Sequence, residues 1–234
     1  MSHNPSQDLY EEAFGSPDDQ AEVTGPTYHE PIPRPLPGRA VPTGGMPLRT
    51  LYAGLFVSLD GVAESPNLFV GPYFDAAVGA EVGAGMARTD TVLLGRKLYA
   101  DWAAYWPGKT EADDPYAPFI NGIRKVVLST TLTSVEWENS ELVREDHLEA
   151  VRRLRAEDGG DIAVNGSISV AQSMLRAGLL DELRLLVFPV VVGSGRRLLD
   201  NLDGVGLRLV ESRALPTGVL SLTYAVDHDA AATQ

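Results

Sequence analysis

Short runs of apolar residues recur along the chain from residue 50 onward, and each run ends in a polar or glycine-containing turn. Several of the runs are continuous rather than alternating, which is typical of strands that are covered on both faces of a sheet. The pattern therefore predicts strands at 51–58, 91–95, 125–129, 161–165, 182–193, 206–215 and 219–226.

Helical patterns fill the intervals between these runs, at 73–88, 96–104, 145–157 and 167–178. In the third of them, Leu148, Val151 and Leu154 form an apolar stripe opposite charged residues, as in an amphipathic helix. Alternation of strands and helices predicts parallel strands joined by crossover helices, whereas the last two runs form an antiparallel hairpin. The predicted fold class is α/β in three layers: a central mixed, mostly parallel sheet flanked by helices, with a C-terminal antiparallel hairpin.

The first 48 residues differ from the rest of the chain. The stretch 30–47 contains six prolines, and the stretch before it is acidic and has almost no β-branched residues. Such a segment buries too little apolar area to offset its ordering entropy. We therefore predict a disordered acidic and proline-rich arm over 1–48, one domain over 49–229 and a tail over 230–234. The arm is either a passive tail or a segment that recruits a partner.

Composition narrows the classes of function. The formal net charge of −13 argues against nucleic acid and anionic membranes as partners. The chain contains no cysteine, which excludes disulfides, thiolate metal sites and cysteine nucleophiles. The N-terminus does not resemble a signal peptide, so we expect a cytoplasmic enzyme or binding protein.

Candidate chemistry is concentrated where the predicted strands end. In open α/β sheets, ligands bind outside the carboxyl ends of the strands. Five such ends offer glycines, hydroxyls and a few cations, a set that suits phosphate groups. Each of them, taken alone, is also typical of an ordinary turn. The segments are 58–64, 95–99, 129–131, 165–169 and 193–197.

Few residues are placed to act as a general acid or base. None of the four histidines lies at one of these five strand ends, so a histidine base or a metal site is not expected. Asp60, in a glycine-containing loop after the first strand, is the best candidate to orient or protonate a substrate, and Glu64 is second. The alternative role of Asp60 is to cap its own turn. The aromatic residues of DWAAYWP are expected to pack a helix end rather than to stack on a substrate.

The motifs SLDGVAE, TDTVLLGRKLYADWAAYWP, RKVVLSTTL, GGDIAVNGSISVAQSML and LLDELRLLVFPVVVGSGRRLL, taken in order, resemble the dihydrofolate reductase-like superfamily. The closest branch is the C-terminal reductase domain of bifunctional riboflavin-biosynthesis proteins. The resemblance covers about residues 49–227. It implies NADPH bound across the strand ends and, by analogy, a homodimer that shares the apolar edge ELRLLVFPVVV.

The resemblance also implies roles for individual residues. Gly95, Arg96 and Lys97 would meet the adenosine side of NADPH, with Arg96 near the 2′-phosphate. Asp60 matches a loop aspartate that faces the substrate. The other expected cofactor residues are Ser129, Thr130 and Thr131 around the adenosine phosphate, and Asn165, Gly166, Ser167 and Ile168 around the pyrophosphate. The other expected substrate residues are Glu64, Gly195 and Arg196.

Three departures from the family pattern bear on function. Asn165 stands where relatives often have a small residue, and Leu98 stands where many have a threonine hydroxyl. The first helix carries no carboxylate at the spacing that folate-reducing members keep, since Asp75 and Glu81 both miss it. Reduction of dihydrofolate is therefore not expected.

These observations lead to one main hypothesis and a rival. The main hypothesis is an NADPH-dependent reductase that delivers hydride to a C=N or C=C bond of a small heterocyclic substrate resembling a pterin or a pyrimidine. The rival is a non-catalytic nucleotide-binding or interaction module on the same fold, with the arm recruiting a partner. A reductase that uses a flavin or deazaflavin is a third option.

Overall fold

The computed structural model describes residues 48–202 and 204–227. All but the last residue of the predicted arm, and the whole predicted tail, lie outside the described residues. Eight strands form one sheet in the order β4-β3-β2-β5-β1-β6-β8-β7. The strands are β1 (Leu51–Ser58), β2 (Thr89–Gly95), β3 (Arg124–Leu128), β4 (Ser140–Val143), β5 (Asp161–Asn165), β6 (Glu182–Phe188), β7 (Gly206–Ala214) and β8 (Leu220–Asp227).

Every neighbouring pair from β4 to β6 in this order is parallel, and β8 pairs antiparallel with both β6 and β7. Helices cover both faces, which confirms the predicted α/β fold class, including the C-terminal antiparallel hairpin. The helices are α1 (Ala76–Met86), α2 (Arg96–Tyr105), α3 (Ala117–Gly122), α4 (His147–Ala156) and α5 (Ile168–Arg176).

Several predicted boundaries were wrong for identifiable reasons. The first helix begins at Ala76 rather than at residue 73, because the Asp75 side chain accepts a hydrogen bond from the Val78 N–H at 2.9 Å and caps it. β6 ends at Phe188, not at residue 193, because Pro189 follows it and has no N–H to extend the ladder. Neither α3, with six residues, nor β4, with four, is long enough to show a period in the sequence.

The two faces of the sheet bury different cores. On the first face, apolar side chains of β1 and β5 pack against α4 and α5. The second face carries two separate clusters. One joins α2 and α3 to β2 and β3, and the other surrounds Phe188 and Val78 of α1.

The two clusters leave the middle of β1 less covered between them, and we infer a shallow opening of the second face there. Tyr52 is buried in the first cluster, but Gly54 and Phe56, which point to the same face, are only half-buried. A glycine in the interior of a strand is typical of a place where a ligand or another chain approaches closely. We name this opening, between α1 on one side and α2 and Tyr116 on the other, the central cleft.

The expected dimer edge is not an edge. The apolar run ELRLLVFPVVV contains β6, which lies between β1 and β8 and is hydrogen-bonded on both sides. It therefore has no free edge to share with a second copy, and the homodimer stays a prediction. Of the helices in 48–202 and 204–227, none is both long and apolar enough to cross a bilayer.

Candidate functional site

The connections of the sheet reverse between β2 and β5. These two strands are neighbours, yet the chain leaves β2 into α2 on the second face and leaves β5 into α5 on the first face. A crevice forms where neighbouring strands send their helices to opposite faces, and it is the usual ligand site of open α/β sheets. The crevice brings together two predicted cofactor segments, 95–97 and 165–168.

Both helices that begin at this crevice lack a side-chain cap. Gly95 precedes α2 and has no side chain, and Ser167 precedes α5 without capping it. Instead, the Ser167 Oγ accepts a hydrogen bond from the Gly95 N–H at 2.9 Å, which joins the two helix starts. Uncapped N–H groups in the first turn of a helix favour an anion.

Gly166 has the backbone geometry that the close approach of a ligand requires. Its φ is +70°, and an added Cβ would lie 3.4 Å from a side-chain carbon of Leu98. Side chains other than glycine rarely adopt this conformation. The loop before α5 thus exposes its backbone, because it carries no side chain at this point.

The other predicted residues of the crevice contribute unequally. Arg96 and Lys97 are exposed in the first turn of α2, and the Lys97 ammonium is paired with Asp101 at 3.1 Å. Ile168 has its side chain in the core, and its N–H donates to the Gly166 carbonyl at 3.1 Å. Arg96 is therefore the cation most available to a ligand, whereas Ile168 offers neither its side chain nor its N–H.

The turn after β3 forms some of its hydrogen bonds within itself. The Ser129 Oγ accepts hydrogen bonds from the N–H groups of Thr131 and Leu132 at 3.2 and 3.1 Å. Ser129 thus plays the ordinary turn role that the sequence left open. Thr130 and Thr131 are exposed, and their contact with a cofactor stays a prediction.

Asn165 ends β5 and points to the second face, opposite Gly54 of β1. Its side chain is hydrogen-bonded to the hydroxyl of Tyr116. An added Cβ on Gly54 would lie 3.4 Å from the Asn165 Oδ1. Asn165 therefore lies at the floor of the central cleft. Sequence reasoning missed Tyr116, because the segment between α2 and α3 follows no predicted strand.

Asp60 lies in the loop after β1, and its carboxylate is fully engaged there. It accepts hydrogen bonds from the Ser58 hydroxyl at 2.7 Å and from the N–H groups of Val192 and Gly193 at 3.0 and 2.9 Å. Arg197 adds an ion pair at 3.6 Å. These contacts, the Ser58 bond first, hold the pKa of Asp60 far below its usual range.

The lowered pKa does not favour the suggestion that Asp60 protonates a substrate, and that role stays a prediction. A proton donor near neutral pH needs a raised pKa, but the hydrogen bonds to Asp60 stabilise its charged form. An orienting role for the ionised carboxylate likewise stays a prediction.

The remaining predicted substrate residues bind each other. The Glu64 Oε2 accepts from the Arg196 N–H at 3.1 Å, and the Arg196 carbonyl accepts from the Ala63 N–H at 3.0 Å. Gly195 has φ +119°, and an added Cβ would lie 2.8 Å from Val62. We call this pairing of loops 58–64 and 192–198 the loop bracket.

Other candidates are structural. Trp106 is buried and packs edge-to-face against Tyr105 and Tyr116, with ring centroids 4.8 and 5.3 Å apart, as the packing interpretation of DWAAYWP predicted. Within the described ranges, no group of three or more histidine or acidic residues could hold a metal ion. A cleft of about 660 Å³ between α2, α3 and the segment before β4 contains none of the predicted site residues.

Comparisons with known proteins agree with this fold. The chain is 28% identical over 187 residues to YyaP of Bacillus subtilis (strain 168), a match that covers 78% of this chain and 97% of YyaP. Among solved structures it is similar to a pyrimidine reductase-like protein of Corynebacterium diphtheriae, at 18% identity and a TM-score of 0.54, covering 77% of this chain and 93% of that one. It is also similar to dihydrofolate reductase of Enterococcus faecalis complexed with NADP(H), at 13% identity and a TM-score of 0.51, covering 76% of this chain and 94% of that one.

A family model covers nearly the whole described domain. The model of the RibD C-terminal domain matches residues 49–221. This range contains the crevice, the central cleft and the loop bracket. The chain therefore belongs to the RibD C-terminal domain family.

Proposed function

We propose that the protein is an NADPH-dependent reductase that delivers hydride to a C=N or C=C bond of a small heterocyclic substrate resembling a pyrimidine or a pterin. The observation that carries this proposal is the pair of uncapped helix starts at the β2–β5 crevice, joined by the bond from Gly95 to Ser167. The family and the nicotinamide complex of a protein with a similar fold support the same cofactor class.

The residues of the crevice fit the phosphates of such a cofactor. The first turns of α2 and α5 would hold the pyrophosphate through their N–H groups, and Gly166 would let the backbone come close. Arg96, exposed beside them, would bind the 2′-phosphate with its planar guanidinium. When bound, the cofactor supplies the hydride, while the protein supplies binding and orientation.

The central cleft is the proposed place of the substrate. It adjoins the crevice at Asn165, so a ring that lies over Gly54 would be next to the carboxyl end of β5. Asp60, held ionised by the loop bracket, would orient a polar N–H group of the ring at the cleft edge. A substrate of pyrimidine class is in keeping with the printed description of a protein of similar fold.

The first experiment compares NADPH and NADH binding by nicotinamide fluorescence, for the wild-type chain and for Arg96→Ala. Loss of a charge-assisted hydrogen bond of about 1.5–3 kcal/mol should weaken NADPH roughly 10- to 150-fold and leave NADH within about threefold. Arg208→Ala, on the exposed edge strand β7, is the control and should change neither. Equal weakening of both nucleotides would refute the 2′-phosphate role.

The rival function is a non-catalytic nucleotide-binding module. The hydrogen-bonded carboxylate of Asp60 favours it, because a lowered pKa does not suit a proton donor near neutral pH. The test is consumption of NADPH over a panel of oxidised pyrimidines and pterins. Tight NADPH binding without turnover on any of them would support the module and contradict the reductase.

A further inference from the structure

With Asp60 held in the loop bracket, the central cleft needs another polar group to meet a substrate. Tyr116 lies at its wall, immediately before α3, and its hydroxyl reaches Asn165 at the floor. It is the residue that joins the helix layer of the second face to the carboxyl end of β5.

The position of the Tyr116 ring is fixed on several sides. Its centroid lies 5.3 Å from that of Trp106, 5.4 Å from Phe119 and 6.4 Å from Trp102. Its own N–H donates to the buried carboxylate of Asp114 at 2.7 Å. A side chain locked in this way loses little freedom when a ligand binds to it.

The Tyr116 hydroxyl meets the Asn165 side chain at the cleft floor. Because the Asn165 Oδ1 lies on the Gly54 side, we infer that the amide nitrogen of Asn165 donates to the phenol oxygen. Asn165 itself lies beside Gly54, whose missing side chain leaves the cleft floor open. In this arrangement the phenol keeps its own O–H to donate to a third group.

The electrostatics keep that hydroxyl neutral. Burial is the largest cause and raises the pKa of Tyr116 well above its ordinary value, against the lowering effect of Asn165; Tyr52 and Asp114 add smaller increases. The phenol therefore stays protonated over the whole physiological range. It acts as a hydrogen-bond donor and not as an acid.

We propose, resting on the reductase function above, that the Tyr116 hydroxyl donates a hydrogen bond to a ring carbonyl oxygen or ring nitrogen of the substrate in the central cleft. This atom is where negative charge accumulates as hydride arrives at the conjugated carbon. A fixed donor aimed at such an atom stabilises the transition state more than the ground state. The site thereby selects rings that carry an acceptor, the defining feature of a pyrimidinone.

The test is Tyr116→Phe in the full chain saturated with NADP⁺, with 5,6-diaminouracil as the probe and calorimetry as the measurement. The variant keeps the ring and its packing and removes only the hydroxyl. It should bind the probe about tenfold more weakly, as expected for a lost bond of about 1.4 kcal/mol. Tyr224→Phe, on the first face of the sheet, is the matched control and should bind as the wild type does.

A second probe separates hydrogen bonding from packing. 1,2-Diaminobenzene has similar amino groups and no ring carbonyl, so its affinity should be the same for wild type and Tyr116→Phe. Equal weakening of both probes would show that the hydroxyl only supports the packing, and would overturn the proposal.

The outcomes keep this proposal distinct from the reductase function. NADPH binding is measured separately by fluorescence, and Tyr116→Phe should leave it within twofold. If the wild type binds NADPH but does not bind 5,6-diaminouracil, the substrate assignment at Tyr116 is overturned while the cofactor site stands. If neither ligand binds, the reductase function itself has failed.

Discussion

Two loop systems at the carboxyl ends of the parallel strands contain similar residues but have different roles. In the loop bracket, the polar groups of 58–64 and 192–198 are bonded to each other: Asp60 accepts from two backbone N–H groups and Glu64 from a third. At the β2–β5 crevice, one bond from Gly95 to Ser167 joins the loops, and neither helix start has a side-chain cap.

The difference shows why glycines, hydroxyls and arginines at strand ends do not identify a ligand site by themselves. Both systems have this composition, but only the crevice keeps backbone donors directed outward at a point where the connections reverse. Polar groups that are already hydrogen-bonded to each other stabilise the fold. Backbone N–H groups in the first turn of a helix without a side-chain cap can instead bind an anion.

A matched pair of glycine substitutions tests most directly whether the loop bracket and the crevice have different roles. Gly195→Ala forces a Cβ to within 2.8 Å of Val62 at φ +119°, so it should lower the free energy of unfolding by about 1–3 kcal/mol and leave the NADPH affinity of the folded protein within twofold. Gly166→Ala meets only the end of Leu98, at 3.4 Å, so it should cost about 1–2 kcal/mol of stability and weaken NADPH about tenfold.

Both variants are measured by urea unfolding and by nicotinamide fluorescence. If Gly195→Ala weakened NADPH as much as Gly166→Ala does, the loop bracket would be part of the cofactor site and the distinction between the two systems would fail.

Ser167→Ala tests the bond that joins the two helix starts, and we expect it to weaken NADPH binding less than Gly166→Ala does. It leaves the Gly95 N–H without its partner at a partly buried position, which should cost about 1–2 kcal/mol of stability. NADPH should bind a few-fold more weakly, because the two helix starts are no longer joined. Ser212→Ala, exposed on the edge strand β7, is the control, and a loss in both variants would contradict the specific role of Ser167.

Asp60→Asn tests the loop bracket through its pH dependence, because the amide oxygen can still accept one of the backbone bonds but the charge is lost. The folded-state pKa of Asp60 lies below its unfolded value, so its contribution to stability is present above about pH 4 and is lost as the pH falls below that. The melting temperature of the wild type should therefore fall more steeply below about pH 4 than that of the variant.

The same Asp60 variant is also tested by measuring its turnover. Asp60→Asn should lower turnover and leave NADPH affinity nearly unchanged, since the residue is outside the crevice. Asp158→Asn, in the exposed loop before β5, is the control for both measurements. A large loss of NADPH affinity in Asp60→Asn would contradict the orienting role.

The strands and long helices could be read from the sequence because each has a period or a continuous apolar run. Leu148, Val151 and Leu154 predicted α4 through their spacing, and Val92 to Leu94 predicted β2 through their continuity. β4 and α3 could not be read, since neither is long enough to show a period.

Local sequence patterns were sufficient to predict the layered α/β fold, the order of its main elements and the strand ends at which helices begin. These follow from local patterns: burial on two faces, helix starts after strands and glycine where side chains are excluded. Residue types at the strand ends are also local, so candidate sites could be named.

Tertiary structure alone decided which of those candidates bind each other. Asp60 meets residues 192 and 193 across more than a hundred positions of sequence, and these contacts depress its pKa rather than raise it. Tyr116 reaches Asn165 only because α3 packs over β5. Hydrogen-bond partners and electrostatic environment depend on three-dimensional distance, which no pattern of neighbouring residues contains.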